Sequence, residues 1–238
     1  MDGLVTAEVL LQQLAQLRLG GIAHRMQPPR LPRDGVLQNG DLAIEQDREL
    51  ARLSAGQLAT ELTEYTGNLT ALGRSLAGNW QDRDVLAGEL AAAGNRLVVF
   101  DRGVILLDNY GTVIAAHPER PAILGQSWSD REYFHAVVRN GTPVFSNVGE
   151  DGPAGEPVVI VAVPVTSDSG ELLGLAAGLF GVSATANNPL YGSIVRIRIA
   201  EGSAKYLVDA RGHVIYHTSP GLIGAQLSDQ RAVTELMN

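Results

Sequence analysis

One eight-residue pattern occurs twice in this chain, and that repetition limits the folds open to it more than any other feature. Leu107-Asp108-Asn109-Tyr110-Gly111-Thr112-Val113-Ile114 returns as Val208-Asp209-Ala210-Arg211-Gly212-His213-Val214-Ile215, with Asp209 standing 101 residues after Asp108. The echo continues: Ile123-Leu124-Gly125-Gln126-Ser127-Trp128-Ser129-Asp130 is answered by Leu222-Ile223-Gly224-Ala225-Gln226-Leu227-Ser228-Asp229, across a connection two residues shorter. Self-similarity over two separated segments marks a repeated structural module. Each copy opens with a strand, a turn built on Asp-x-x-Gly and a second strand, then proceeds to a glycine and a Ser-Asp pair.

Only the first copy is complete. It goes on to a helix predicted over Asp130 to Arg139 with Asp130 as its N-cap, then a strand at Val144-Phe145-Ser146-Asn147. Strands at Pro157 to Val165 and Leu172 to Val182 flank the turn Ser167-Asp168-Ser169-Gly170. Both are apolar at nearly every position, which predicts cover on both faces of the sheet. The second copy reaches Asn238 soon after its Ser-Asp pair, so the sheet it begins is expected to be incomplete. Its open edge must be covered by another segment, paired in an oligomer, or left poorly ordered.

Upstream, Leu50, Leu53, Leu58, Leu62, Tyr65, Leu69, Leu72, Leu76 and Trp80 advance mostly by alternating threes and fours, which predicts one long amphipathic helix from Asp41 to Trp80. Its stripe can pack on the chain's own domain or pair with a second subunit. A shorter helix is expected at Asp82 to Ala93. Residues 4 to 26 have near-helical apolar spacing until Gly20-Gly21 weakens it, and Gln27 to Gly35, with three prolines, reads as an extended linker. The expected divisions are thus 1–40, 41–93, 94–190 and 191–238.

Composition removes several functions. The net charge is −8 and no basic patch occurs, so phosphate-backbone binding has no footing and nucleic acid is not an expected partner. With no cysteine, thiolate metal sites, disulfides and cysteine nucleophiles are out. Gly125-Gln126-Ser127-Trp128-Ser129 lacks the closing glycine of a nucleophile elbow, and there is neither a phosphate loop nor a His-Glu-x-x-His, so the chain is not expected to be an enzyme. His213 and His217 lie too far apart along one strand for joint chelation, and no metal or cofactor is expected. No run reaches the roughly 20 apolar residues of a membrane span.

The chain resembles the double Cache sensor domain, the extracytoplasmic input module of bacterial transmembrane receptors. The resemblance runs from about Ile44 to the C-terminus. It rests on the long first helix, the Leu-Asp-x-x-Gly-x-Val-Ile hairpin, Gly125 followed by Ser129-Asp130-Arg131-Glu132-Tyr133-Phe134, then Gly155-Glu156-Pro157-Val158-Val159 and Asp168-x-Gly170, and the second block Tyr206 to His217. It implies an α+β fold: a long N-terminal helix beside tandem PAS-like antiparallel-sheet modules, the second truncated. It also implies signal input to a histidine kinase, chemoreceptor or cyclic-dinucleotide enzyme, with the parent protein anchored in the inner membrane. The alternative function is a structural module that binds no ligand and dimerises through the helix.

Trp128 to Phe134 is the candidate recognition segment. The Arg131 guanidinium matches a carboxylate in a two-pronged fashion, and Trp128, Tyr133, Phe134 and Phe145 are expected as aromatic walls around it. The resemblance places Arg131 at the carboxylate arginine of amino-acid-sensing double Caches, Tyr133 where tryptophan is usual, Phe134 where tyrosine is usual and Gln126 where a tyrosine is expected. The resemblance also implies an ammonium-binding aspartate near the end of the fifth strand of the module, but no acidic residue falls between Glu171 and Glu201. An ammonium would then lack its countercharge there, so a small organic acid is expected to be favoured over an amino acid.

Overall fold

The computed structural model describes residues 18–23, 60–182, 192, 203–209, 211–217 and 219–226. The helix α1 occupies residues 60–76 and is followed by a 3-10 turn at Ala77–Asn79. Then come α2 (Arg83–Ala92) and the single-turn α3 (Gly94–Leu97). The complete module holds β2 (Val104–Asp108), β3 (Val113–His117), α4 (Glu132–Asn140), β4 (Val144–Phe145), β5 (Val158–Thr166) and β6 (Leu172–Gly181). Its five strands make one antiparallel sheet in the order β3-β2-β6-β5-β4.

The continuous apolar runs of β5 and β6 find cover on both faces, as their composition predicts. Because side chains alternate along a strand, Val159, Val161, Val163 and Val165 point to one side with Phe145, Ala176 and Phe180, where α1 and α2 lie. Val158, Ile160, Ala162, Leu175, Ala177 and Leu179 point to the other, against Trp128, Tyr133, Phe134 and Val137 at and beside α4. The sheet is therefore the middle of three layers.

The described part of the leucine stripe is buried inside the chain itself: Leu62, Leu69, Leu72, Leu76 and Trp80 all lie in the first of these clusters. At its end the Trp80 indole N–H donates to the Leu173 carbonyl at 2.8 Å, fastening helix to sheet. Gly73 sits where a Cβ would come within 2.8 Å of Val165 Cγ2, so the missing side chain sets how closely α1 approaches β5. Leu50, Leu53 and Leu58 lie outside the described residues.

The repeat is visible bond for bond. Strands β7 (Ser203–Val208) and β8 (Val214–His217) form the second hairpin. The Gly111 amide donates to the Asp108 carbonyl and the Gly212 amide to the Asp209 carbonyl, both at 3.0 Å. Both glycines have φ above +80°, the left-handed conformation such a turn requires. Downstream, Gly125 N–H donates to Val113 O and Gly224 N–H to Val214 O, both at 2.8 Å.

Two expectations are corrected. Within residues 4–26, read as a short helix, Arg18–Ala23 forms a strand, β1, paired antiparallel with β7. Gly20-Gly21 removes helix propensity, and β7 offers an edge whose backbone groups need partners. Among the alternatives for that edge, cover by another segment is the one observed. Asp130 is not the N-cap of α4: Arg131 holds that place with extended backbone and no side-chain cap, while Asp130 pairs with the Arg131 guanidinium at 3.0 Å.

Candidate functional site

A cavity of about 190 Å³ opens at the start of α4, where Asp130, Arg131, Glu132 and Tyr133 face the loop from Ser146 to Asp151 and Arg211 of the second hairpin. The backbone of Arg131 is extended before the helix begins, which aims its side chain across the helix end. Its Nη2 meets Asp151 Oδ1 at 2.9 Å, its Nη1 meets Asp130 Oδ2 at 3.0 Å, and its guanidinium carbon lies 5.6 Å from the Trp128 ring centre. The ring beneath and the carboxylate beside it hold the fork in place.

Three buried polar atoms in and beside this cluster have no hydrogen-bond partner among the described residues: Arg131 Nε, the Tyr133 hydroxyl and Arg120 Nη1. Buried polar atoms are ordinarily paired. Burial, and then the nearby Asp151 carboxylate, push the Tyr133 phenol above its ordinary value, so the group stays a neutral hydroxyl able to donate. Burial also raises the Asp151 carboxyl, while the Arg131 charge pulls it back. Arg120 stands close enough to act electrostatically on Asp151 and Tyr133; its Nη2 donates to the Gly152 carbonyl at 3.1 Å, and burial lowers its pKa.

The expected site residues separate into two groups. Arg131 and Tyr133 line the cavity, and Trp128 supports Arg131 from beneath. Phe134 is buried in the cluster between α4 and the sheet, and Phe145 faces the opposite side of the sheet among the α1 contacts, so neither lines this cavity. Side-chain alternation decides the placement of Phe145: Val144 takes the α4 side and Phe145 the other. Gln126 is exposed, and its amide N–H donates to the Ala122 carbonyl at 2.8 Å, away from the cavity.

The premise behind the organic-acid preference does not describe this cavity. Its acidic residues come from the start of α4 and from the loop after β4, not from the stretch between Glu171 and Glu201 that begins with β6. Asp151 and Arg211 also line the cavity and are not among the residues expected from the sequence. Neither lies in a periodic segment, although Arg211 sits in a variable position of the repeated turn, where a change of charge between the copies is a readable signal.

A three-layer module with a polar cavity at one helix end, followed by a second hairpin of the same design, is the architecture of a tandem sensor domain. The family model for the Cache domain, in its double form dCache, matches residues 40–236, and the chain belongs to that family. Cache domains are non-catalytic sensor domains of signal-transduction proteins such as chemoreceptors and histidine kinases. Among solved structures, the ligand-binding domain of the Pseudomonas fluorescens chemoreceptor CtaA in complex with L-serine is similar at 18% identity and a TM-score of 0.61, covering 79% of this chain and 78% of that one. The sensor domain of the V. cholerae histidine kinase DctB is similar at 15% identity and a TM-score of 0.61, covering 83% and 75%. An extracellular ligand binding receptor from Desulfohalobium retbaense is similar at 16% identity and a TM-score of 0.57, covering 87% of this chain and 35% of that one. No curated protein matches the chain. Among the described residues no helix is long and apolar enough to cross a membrane.

Proposed function

We propose that this chain is the extracytoplasmic sensor region of a bacterial receptor and that its complete module binds a small carboxylate-bearing molecule at Arg131. The observation that carries this reading is the pairing of a fixed guanidinium with an unpartnered, buried tyrosine hydroxyl in one cavity. A ligand carboxylate satisfies both, by charge-assisted bonds to Arg131 and a hydroxyl donation from Tyr133.

Charge balance favours an amino acid over a plain organic acid. The lining carries three carboxylates, Asp130, Glu132 and Asp151, and two guanidiniums, Arg131 and Arg211, while the Arg120 charge acts on the same Asp151, which brings the site near neutrality. A bare anion unbalances it, whereas a zwitterion leaves the net charge unchanged and offers its ammonium to Asp151. The amino-acid complex of the CtaA domain agrees with this choice.

Calorimetric titration of L-serine and of 3-hydroxypropionate, the same skeleton without the amine, separates the readings. Binding of L-serine alone supports the zwitterion. Binding of 3-hydroxypropionate alone restores the organic-acid preference. A melting temperature unmoved by either compound, or by a wider set of amino acids and carboxylates, supports the structural module instead.

A further inference from the structure

The two copies of the repeated turn are built alike but used differently. In the first, Asp108 Oδ1 accepts the Tyr110 and Thr112 amides at 2.9 and 2.8 Å. In the second, Asp209 Oδ1 accepts the Arg211 and His213 amides at 2.9 and 2.8 Å. The other oxygen of Asp209 then leaves the hairpin and accepts the Val148 amide of the first module at 3.0 Å, with His213 Nδ1 at 3.2 Å. Asp209 is 1% exposed, so this is a buried carboxylate bridging two modules.

Val148 belongs to the loop that walls the Arg131 cavity, and Arg211, two residues beyond Asp209, lines the same cavity. Arg211 pairs with Glu132, the first residue of α4. We propose, resting on the carboxylate-binding reading above, that the pocket is shared between the modules: Arg211 is a ligand-contacting residue and Asp209 a positioning residue that holds the Val148 wall. The two cations then differ in kind. Arg131 is fixed by the buried Asp151 and the Trp128 ring. The Arg211 and Glu132 side chains are 50% and 70% exposed. An exposed ion pair is worth little, so Arg211 readily exchanges Glu132 for a ligand carboxylate. A ligand that recruits Arg211 draws the second hairpin onto the first module, which gives the second module a direct reading of occupancy.

The test uses the full chain, with L-serine as the probe. Arg211→Ala is expected to weaken L-serine binding about tenfold, the worth of one charged hydrogen bond at a half-exposed site. Saturating L-serine is expected to slow amide exchange at 208–214 in the wild type and not in Arg211→Ala. In the ligand-free chain, Asp209→Asn is expected to speed exchange of the Val148 amide about tenfold. L-serine affinity and hairpin exchange unchanged by Arg211→Ala would overturn the shared pocket while leaving the Arg131 site standing. If the wild type gives no heat with L-serine, the amino-acid reading fails separately. The shared wall is then decided by the ligand-free exchange of Val148, where an unchanged rate in Asp209→Asn sinks it. If Asp209→Asn unfolds the hairpin, exchange in the ligand-free wild type decides the matter: Val148 protection comparable to that of 208–214 is expected, and free exchange of Val148 beside a protected hairpin sinks the shared wall.

Discussion

Arg131 and Asp151 meet at 2.9 Å, one at the start of α4 and the other in the loop between β4 and β5. The Asp151 side chain is 9% exposed, so its charge is kept in a poorly solvated wall by the guanidinium opposite. A carboxylate held this way can receive an ammonium beside the arginine. Asp151→Asn is therefore expected to lower L-serine affinity by about 1–3 kcal/mol and to leave 3-hydroxypropionate affinity equal or improved. Paired titrations of the two compounds check this. Parallel losses for both would assign Asp151 to holding Arg131 rather than to meeting an amine.

Helix α1 is fastened chiefly by its apolar stripe. Leu69 and Leu76 are fully buried against the sheet, so Leu69→Ala or Leu76→Ala should cost about 2–5 kcal/mol of unfolding free energy, the range for leucine truncation in a packed core. Urea denaturation measures it. Arg74, exposed on the same helix, should tolerate alanine within about 0.5 kcal/mol.

Trp80→Phe removes the donor to the Leu173 carbonyl while keeping an aromatic in the cluster. The expected cost is about 1–2 kcal/mol, from the lost bond and a carbonyl left partly unsatisfied. A melting curve identical to wild type would show that this bond does not secure the helix end.

Much of the fold was legible in the sequence, and the reason differs element by element. The hairpin at Asp108 was readable because Asp and Gly at fixed spacing meet a steric requirement, and its return at Asp209 excluded coincidence. The burial on both faces of β5 and β6 followed from strands with no polar side. The strand at Arg18–Ala23 was not readable, because a backbone pairing onto β7 depends on an edge formed some 180 residues later. The site was half legible. Arg131 and Tyr133 share one short motif and arrive together, but which face Phe145 takes depends on strand register. Asp151 and Arg211 reach the cavity only through folding of distant loops.

Stability should depend on pH through His217, which is buried, with Nδ1 accepting the Ser219 amide at 2.8 Å. Burial holds its pKa below the ordinary 6.5. As pH falls through 6.5 the unfolded chain takes up the proton first, so stability present above that value is lost until the folded form titrates as well. Asp101 and Asp151, both raised by burial from 3.8, act in the opposite sense in the carboxylate range, where ionisation on raising pH destabilises the fold. Melting temperatures should therefore drop between pH 7.5 and 5.5, and His217→Gln should flatten that slope. A slope unchanged by the substitution would place the titrating group elsewhere.

The central claim is that Arg131 receives a ligand carboxylate, and calorimetry of L-serine on the wild type and Arg131→Ala tests it most directly. The account predicts measurable binding to the wild type and a loss of at least about 2 kcal/mol in the variant, with the fold retained by circular dichroism. Equal affinity for L-serine in the two proteins would contradict it.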